Sequence, residues 1–160
     1  MNKMAETNPN NTFVGTYKAK LDDKDRINVP SDFINIIKRI NPQYNYSHDI
    51  FASLSKVEGE NLESAINCVK FMPSNYFARD VLKPLKNKDH YLGNVEKLKF
   101  GSQNRIRLPT DFKESLNIKK EAIFTGMNNS FYLWSLNGWV NYRNKEGPKP
   151  MKLSNLSFEL

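Results

Sequence analysis

Two arginines stand 79 residues apart in nearly the same setting, Arg26 in LDDKDRINVPSDF and Arg105 in FGSQNRIRLPTDF. The chemistry such a residue can do there is recognition: a planar guanidinium donates paired hydrogen bonds to guanine O6 and N7, and equally well to phosphate. Asp22, four residues before Arg26, is placed to orient that arginine across a turn, whereas the second copy has Gly101 at the matching position and offers Arg105 no such acid. Lys18, Lys20, Lys24, Lys97, Lys99 and Arg107 are candidate phosphate contacts, which fix register without reading sequence. For any single lysine a solvated sheet face is the plainer reading.

Other chemistry finds little support. The acids Asp22, Asp23 and Asp25 are interleaved with Lys24 and Arg26, and the spaced ligands and terminal glutamate of a calcium loop are missing, so they belong to the turn. His48 and His90 fall in no zinc spacing. No GxSxG, HExxH or GxxxxGK occurs. Cys68 is alone in AINCVKFM, which excludes an intrachain disulfide and reads as core packing. The expectation is a protein that is no enzyme and holds no cofactor and no metal.

The elements that must position the arginines repeat with them. The same offset joins Lys18 to Lys97, Ala19 to Leu98, Lys20 to Lys99, Leu21 to Phe100, Ile27 to Ile106, Val29 to Leu108, Pro30 to Pro109, Asp32 to Asp111 and Phe33 to Phe112. An internal duplication is the economical reading. In each copy apolar residues alternate with basic or polar ones before and after the turn, the pattern of two half-buried strands. Proline then stops strand pairing, and Ser31 or Thr110 is suited to cap a short helix carrying Phe33, Ile36, Ile37 and Ile40, or Phe112 and Leu116. Immediately before each arginine stands Asp25 or Asn104, residues that tolerate a left-handed backbone, so both turns are expected to use that conformation to aim the next side chain. Further strands are expected over residues 49–55 and 122–134, and helices over 60–72 and 75–87. The aromatic run Phe131, Tyr132, Trp134, Trp139 and Tyr142 reads first as core and second as a subunit interface.

With 24 Lys and Arg against 17 Asp and Glu the chain carries a net charge of +7, which favours an anionic partner. No apolar run reaches the ~18 residues of a membrane-spanning helix, and the opening MNKMAETNPNN lacks the apolar stretch of a secretory signal, so a cytoplasmic protein with no membrane contact is expected.

LDDKDRINVP and FGSQNRIRLP, each followed by a helix and with FYLWSLNGW after the second, resemble the two halves of the MraZ family, built from AbrB-like units. The resemblance spans roughly residues 13–143. In the family each turn reads Asp, three residues, Arg, with Gly just before the Arg; here Asp25 and Asn104 replace the glycines and Gly101 replaces the second acid. What the resemblance implies is an α+β fold of duplicated AbrB/MraZ-like strand-turn-strand-helix units, forming an interleaved β-barrel core with flanking helices. It implies halves at 13–90 and 91–144; the polar stretch 1–12 before them is expected to be a disordered N-terminal tail, and 145–160, broken by two prolines, an irregular C-terminal tail. It also implies a homo-oligomeric ring that binds repeated short sites in double-stranded DNA upstream of the protein's own division and cell-wall gene cluster, at the nucleoid. The competing class is an AbrB-like oligomeric interaction or antitoxin module that binds a protein partner. Salt separates the two, because DNA binding through several basic residues weakens steeply as salt rises.

Overall fold

The computed structural model describes residues 8–41, 49–57, 66–84 and 92–146. Along the chain run β1 (Thr16–Lys20), β2 (Arg26–Asn28), α1 (Ser31–Ile40), β3 (Asp49–Val57), β4 (Ile66–Pro73) and α2 (Ser74–Phe77), which continues as a π-helical turn, Ala78–Leu82. Then follow β5 (Val95–Lys99), β6 (Arg105–Arg107), α3 (Thr110–Leu116), β7 (Glu121–Met127), β8 (Ser130–Ser135) and α4 (Leu136–Glu146). The molecule is α+β. Six strands form an antiparallel sheet in the order β1-β7-β8-β4-β3-β5, and β2 pairs with β6 in a separate two-stranded ribbon.

This order corrects the expected barrel. β1 and β5 are the two ends of the sheet and do not pair with each other, so the sheet is open. The strands do interleave: β1 lies against β7 and β5 against β3, each early strand of a turn unit crossing to a partner far away in sequence. At the middle β4 meets β8 through Val69 opposite Leu133, Lys70 opposite Tyr132 and Phe71 opposite Phe131.

β4 is a second correction, since a helix was expected over 60–72. Both of its faces are in use: Val69 and Phe71 turn toward the main core and Cys68 toward the other face beside Trp134, and all three are buried. A short apolar run that is buried on both sides has no clear period, and length alone does not separate strand from helix. Residues 60–65 lie outside the described residues, as do His48 and His90. The strand expected over 49–55 is β3, the run 122–134 folds as the β7–β8 hairpin, and the helix expected at 75–87 is observed through Leu82.

α1 begins at Ser31 and α3 at Thr110, with Pro30 and Pro109 in the capping positions and no side-chain cap bond at either. The serine and threonine are therefore first-turn residues rather than caps. The Pro30 carbonyl instead accepts the N–H groups of Phe33 and Ile34 at 3.0 Å each. Residues 1–7 lie outside the described residues, but Pro9–Asn11 forms a 3-10 turn, Tyr76 donates its hydroxyl to the Asn11 carbonyl at 2.9 Å, and Phe13 is fully buried.

The core lies between the large sheet and the layer formed by the ribbon, α1 and α3. Phe33 from α1 meets Phe131 of β8 at 4.8 Å between ring centres and Phe13 at 5.4 Å, while Ile27 and Ile106 drive the ribbon into the same cluster. Each such side chain contributes about 1.5–3 kcal/mol by leaving water. On the opposite face α4 covers Trp134, whose ring lies 4.9 Å from Tyr142 and 5.7 Å from Trp139, and whose Nε1 donates to Thr125 Oγ1 at 2.9 Å. Core packing is thus what this aromatic run does within one chain. Cys68 is fully buried beside Trp134, and burial pushes its thiol up to about 12, as a packing residue requires. No described helix is long and apolar enough to cross a membrane.

Candidate nucleic-acid interface

The ribbon is where the two turns meet. β2 and β6 each follow directly on their own turn, and their antiparallel pairing puts the turns at opposite ends of the ribbon. In the first turn Asp25 N–H donates to the Asp22 carbonyl at 3.0 Å and Asp22 N–H to the Arg26 carbonyl at 2.9 Å; in the second, Gly101 N–H donates to the Arg105 carbonyl at 2.7 Å. Asp25 (φ 61°) and Asn104 (φ 57°) are both left-handed, and Gln103 (φ 58°) makes the second turn left-handed at two consecutive residues. Each turn then locks onto the other's strand: Leu108 N–H donates to the Asp25 carbonyl at 2.8 Å and Val29 N–H to the Asn104 carbonyl at 3.2 Å.

Ile27 stands directly opposite Ile106 and both are buried. Side chains alternate along a strand, so Arg26, Asn28, Arg105 and Arg107 share the outward face. Arg26 lies opposite Arg107, and Asn28 opposite Arg105. The ladder bonds at residues 25/108 and 29/104 make these two the non-hydrogen-bonded pairs, in which facing side chains approach most closely.

Asp22 holds this face together. Its Oδ1 accepts the N–H groups of Lys24 at 2.8 Å and Arg26 at 2.9 Å, while Oδ2 accepts Arg26 Nε at 2.7 Å. The backbone N–H of Arg26 does most to hold the Asp22 carboxyl down to about 2; desolvation opposes it as the next largest influence, and the Lys24 N–H and the Arg26 guanidinium add to the lowering. The same Oδ2 lies 3.5 Å from Arg105 Nη1, and Arg105 also donates to Ser102 through Nε to the carbonyl at 3.3 Å and through Nη2 to Oγ at 3.2 Å. This corrects the expectation that Gly101 leaves Arg105 without an acid. The acid comes from the other turn, which the chain alone could not show because the two lie 83 residues apart.

Two further contacts join the turns. Arg107 Nη1 donates to the Lys24 carbonyl at 2.7 Å, and Asn28 Nδ2 to the Gln103 carbonyl at 3.4 Å, equivalent contacts under the 79-residue offset. Lys113 of α3 reaches Asp25 Oδ1 at 2.8 Å. Asn28, Ser102 and Lys113 were missed by sequence reasoning. Only Asn28 left a signal, since it occupies the position of Arg107 in the other copy.

The strand lysines are placed differently. Lys18 lies opposite Ile123, which packs with Trp134 on the α4 side, and Lys20 lies opposite Glu121. Lys99 lies opposite Asp49, and Lys97 Nζ is 3.9 Å from an Asp49 carboxylate oxygen. By strand alternation these four belong to the sheet face turned away from the ribbon. The structure brings together Arg26, Arg105 and Arg107 with the Lys24 backbone, and separates Lys18, Lys20, Lys97 and Lys99 from them. Among the described residues no cluster of His, Cys, Asp and Glu is arranged to hold a metal.

The architecture has relatives. A transcriptional regulator MraZ from Oenococcus oeni is 31% identical over 133 residues, covering 81% of this chain and 85% of that protein. The chain belongs to the MraZ family. Residues 92–152 match the MraZ family model, described as "MraZ protein, putative antitoxin-like". MraZ transcriptional regulators from Mesoplasma florum (24% identical, 92% of this chain and 96% of that one) and Mycoplasmoides gallisepticum (23%, 81% and 86%) are also similar along most of their length. The family is one of transcriptional regulators rather than enzymes. Within this MraZ chain the turns depart from a Gly-Arg tip, yet Asp25 and Asn104 adopt the backbone conformation that glycine takes most freely.

Proposed function

We propose that this protein is a sequence-specific DNA-binding transcriptional regulator whose contact surface is the outward face of the β2–β6 ribbon. The observation that carries the reading is the convergence of Arg26, Arg105 and Arg107 on one face, the first two braced by the single carboxylate of Asp22 and the third held by the Lys24 carbonyl. A two-stranded ribbon fits the major groove, where arginine pairs with guanine O6 and N7. Lys24 at the first turn adds a phosphate contact, while Lys18, Lys20, Lys97 and Lys99, on the far face of the sheet, contribute only to the net positive charge that attracts a polyanion.

The finer reading follows the family resemblance. Residues 13–90 and 91–144 are duplicated AbrB-like halves, and the chains assemble into a ring through surfaces that include the aromatic run. The ring acts at the nucleoid on short repeated sites in the promoter of the protein's own division and cell-wall gene cluster. Several ribbons on one ring multiply a weak single contact, because each later binding event is intramolecular.

The test is a binding titration on double-stranded DNA from upstream of the protein's own gene at two salt concentrations, with scrambled DNA as control. Affinity should favour the upstream DNA and fall steeply with salt, by about one power of ten for each phosphate contact per tenfold rise in salt. Equal, weak binding to both DNAs would remove the regulator reading and favour the antitoxin-like module that acts on a protein partner, which the family model's description keeps in view.

A further inference from the structure

The outward ribbon face holds four side chains, and three are arginines. Asn28 is the fourth, exposed and directly opposite Arg105 in a close cross-strand pair. Its Nδ2 makes one long contact, 3.4 Å to the Gln103 carbonyl, and its Oδ1 accepts no hydrogen bond from the described residues. A carboxamide with a free acceptor and a loosely held donor is the group that reads adenine, accepting from N6 and donating to N7 in the major groove. Its counterpart Arg107 holds the equivalent turn carbonyl at 2.7 Å, so the two positions are matched in geometry and differ in chemistry.

We propose that Asn28 is a specificity-determining residue that reads an adenine beside the guanine read by Arg105. The inference rests on the DNA-regulator reading above and deepens it. Arg105 is fixed by Asp22 and Ser102 on one side, and the neighbouring amide is carried by the same rigid ribbon, so the two groups present a fixed spacing to adjacent base pairs. The ribbon is therefore asymmetric: its Arg26–Arg107 end carries two guanidinium groups and its Asn28–Arg105 end one guanidinium and one amide. A site read by it is directional even though the ladder that carries it is symmetric about Ile27 and Ile106.

The experiment is selection of bound duplexes from a random double-stranded DNA library by the full chain and by N28A and N28R, followed by titration on the wild-type winner and on its single-base variants. The side chain is exposed, so both variants keep the fold. The wild type should enrich a motif with one A·T pair that N28A no longer distinguishes, with about a tenfold loss on the winning sequence, and that N28R replaces with G·C. If Asn28 only braces the second turn or touches phosphate, N28A weakens all sequences alike and enriches the same motif, which overturns the inference and leaves the regulator reading standing. A wild type that enriches no motif overturns both.

Discussion

One carboxylate oxygen, Asp22 Oδ2, lies 2.7 Å from Arg26 Nε and 3.5 Å from Arg105 Nη1, so the first turn's acid braces the arginines of both turns. Asp22→Ala is therefore expected to weaken DNA binding through both side chains. Double-mutant cycles read by fluorescence anisotropy on specific DNA should show D22A coupled to both arginine variants, more strongly to R26A than to R105A, with both couplings weakening as salt rises, in keeping with solvent-screened pairs. Additivity between D22A and R105A would show that the longer contact does no bracing.

The same acid sets an acid limit on the turn. Its carboxyl is held at about 2 in the folded protein against an ordinary value of 3.8. The unfolded chain takes up its proton first as pH falls, so the contribution of Asp22 is fully present above about pH 4 and is lost as pH drops toward 2. An NMR titration of the Asp22 carboxyl carbon should give a midpoint near 2. An ordinary midpoint would mean that the Arg26 and Lys24 N–H bonds are not formed in solution.

Left-handed backbones at Asp25 and Asn104 predict unequal costs for small and branched replacements. Asn104→Gly should leave stability nearly unchanged, whereas Asn104→Val should cost about 1–2 kcal/mol in urea denaturation. Asp25→Val should cost more, because it also breaks the 2.8 Å contact with Lys113. Tolerance of valine at both positions would contradict the turn geometry.

Gly126 is a packing requirement of another kind. A Cβ there would lie 2.3 Å from Val14 N and 2.4 Å from the Phe13 carbonyl carbon, in the segment that Gly126 N–H binds through the Gly15 carbonyl at 2.8 Å. Gly126→Ala should therefore lower stability by about 2–3 kcal/mol by pushing Phe13 out of the core. A calorimetric midpoint equal to wild type would show that the N-terminal strap is not fixed there.

Local chemistry was legible from the residues themselves. The alternation of Lys18, Ala19 and Lys20, the prolines that end β2 and β6, the period of α1 and the left-handed residues before each arginine are all properties of a few neighbouring positions. Their physical causes act within a turn or two of chain, so sequence determines them. Pairing between distant segments is different. That β1 crosses to β7, that β4 is a central strand with two buried faces, and that Asp22 reaches Arg105 depend on which surfaces come together when the apolar faces leave water. Hydrophobic burial is non-directional and does not name its partner. Tertiary structure alone decided that the arginines converge on one ribbon while four lysines of the same repeat fall on the other side of the sheet, and that Asn28 stands among the arginines.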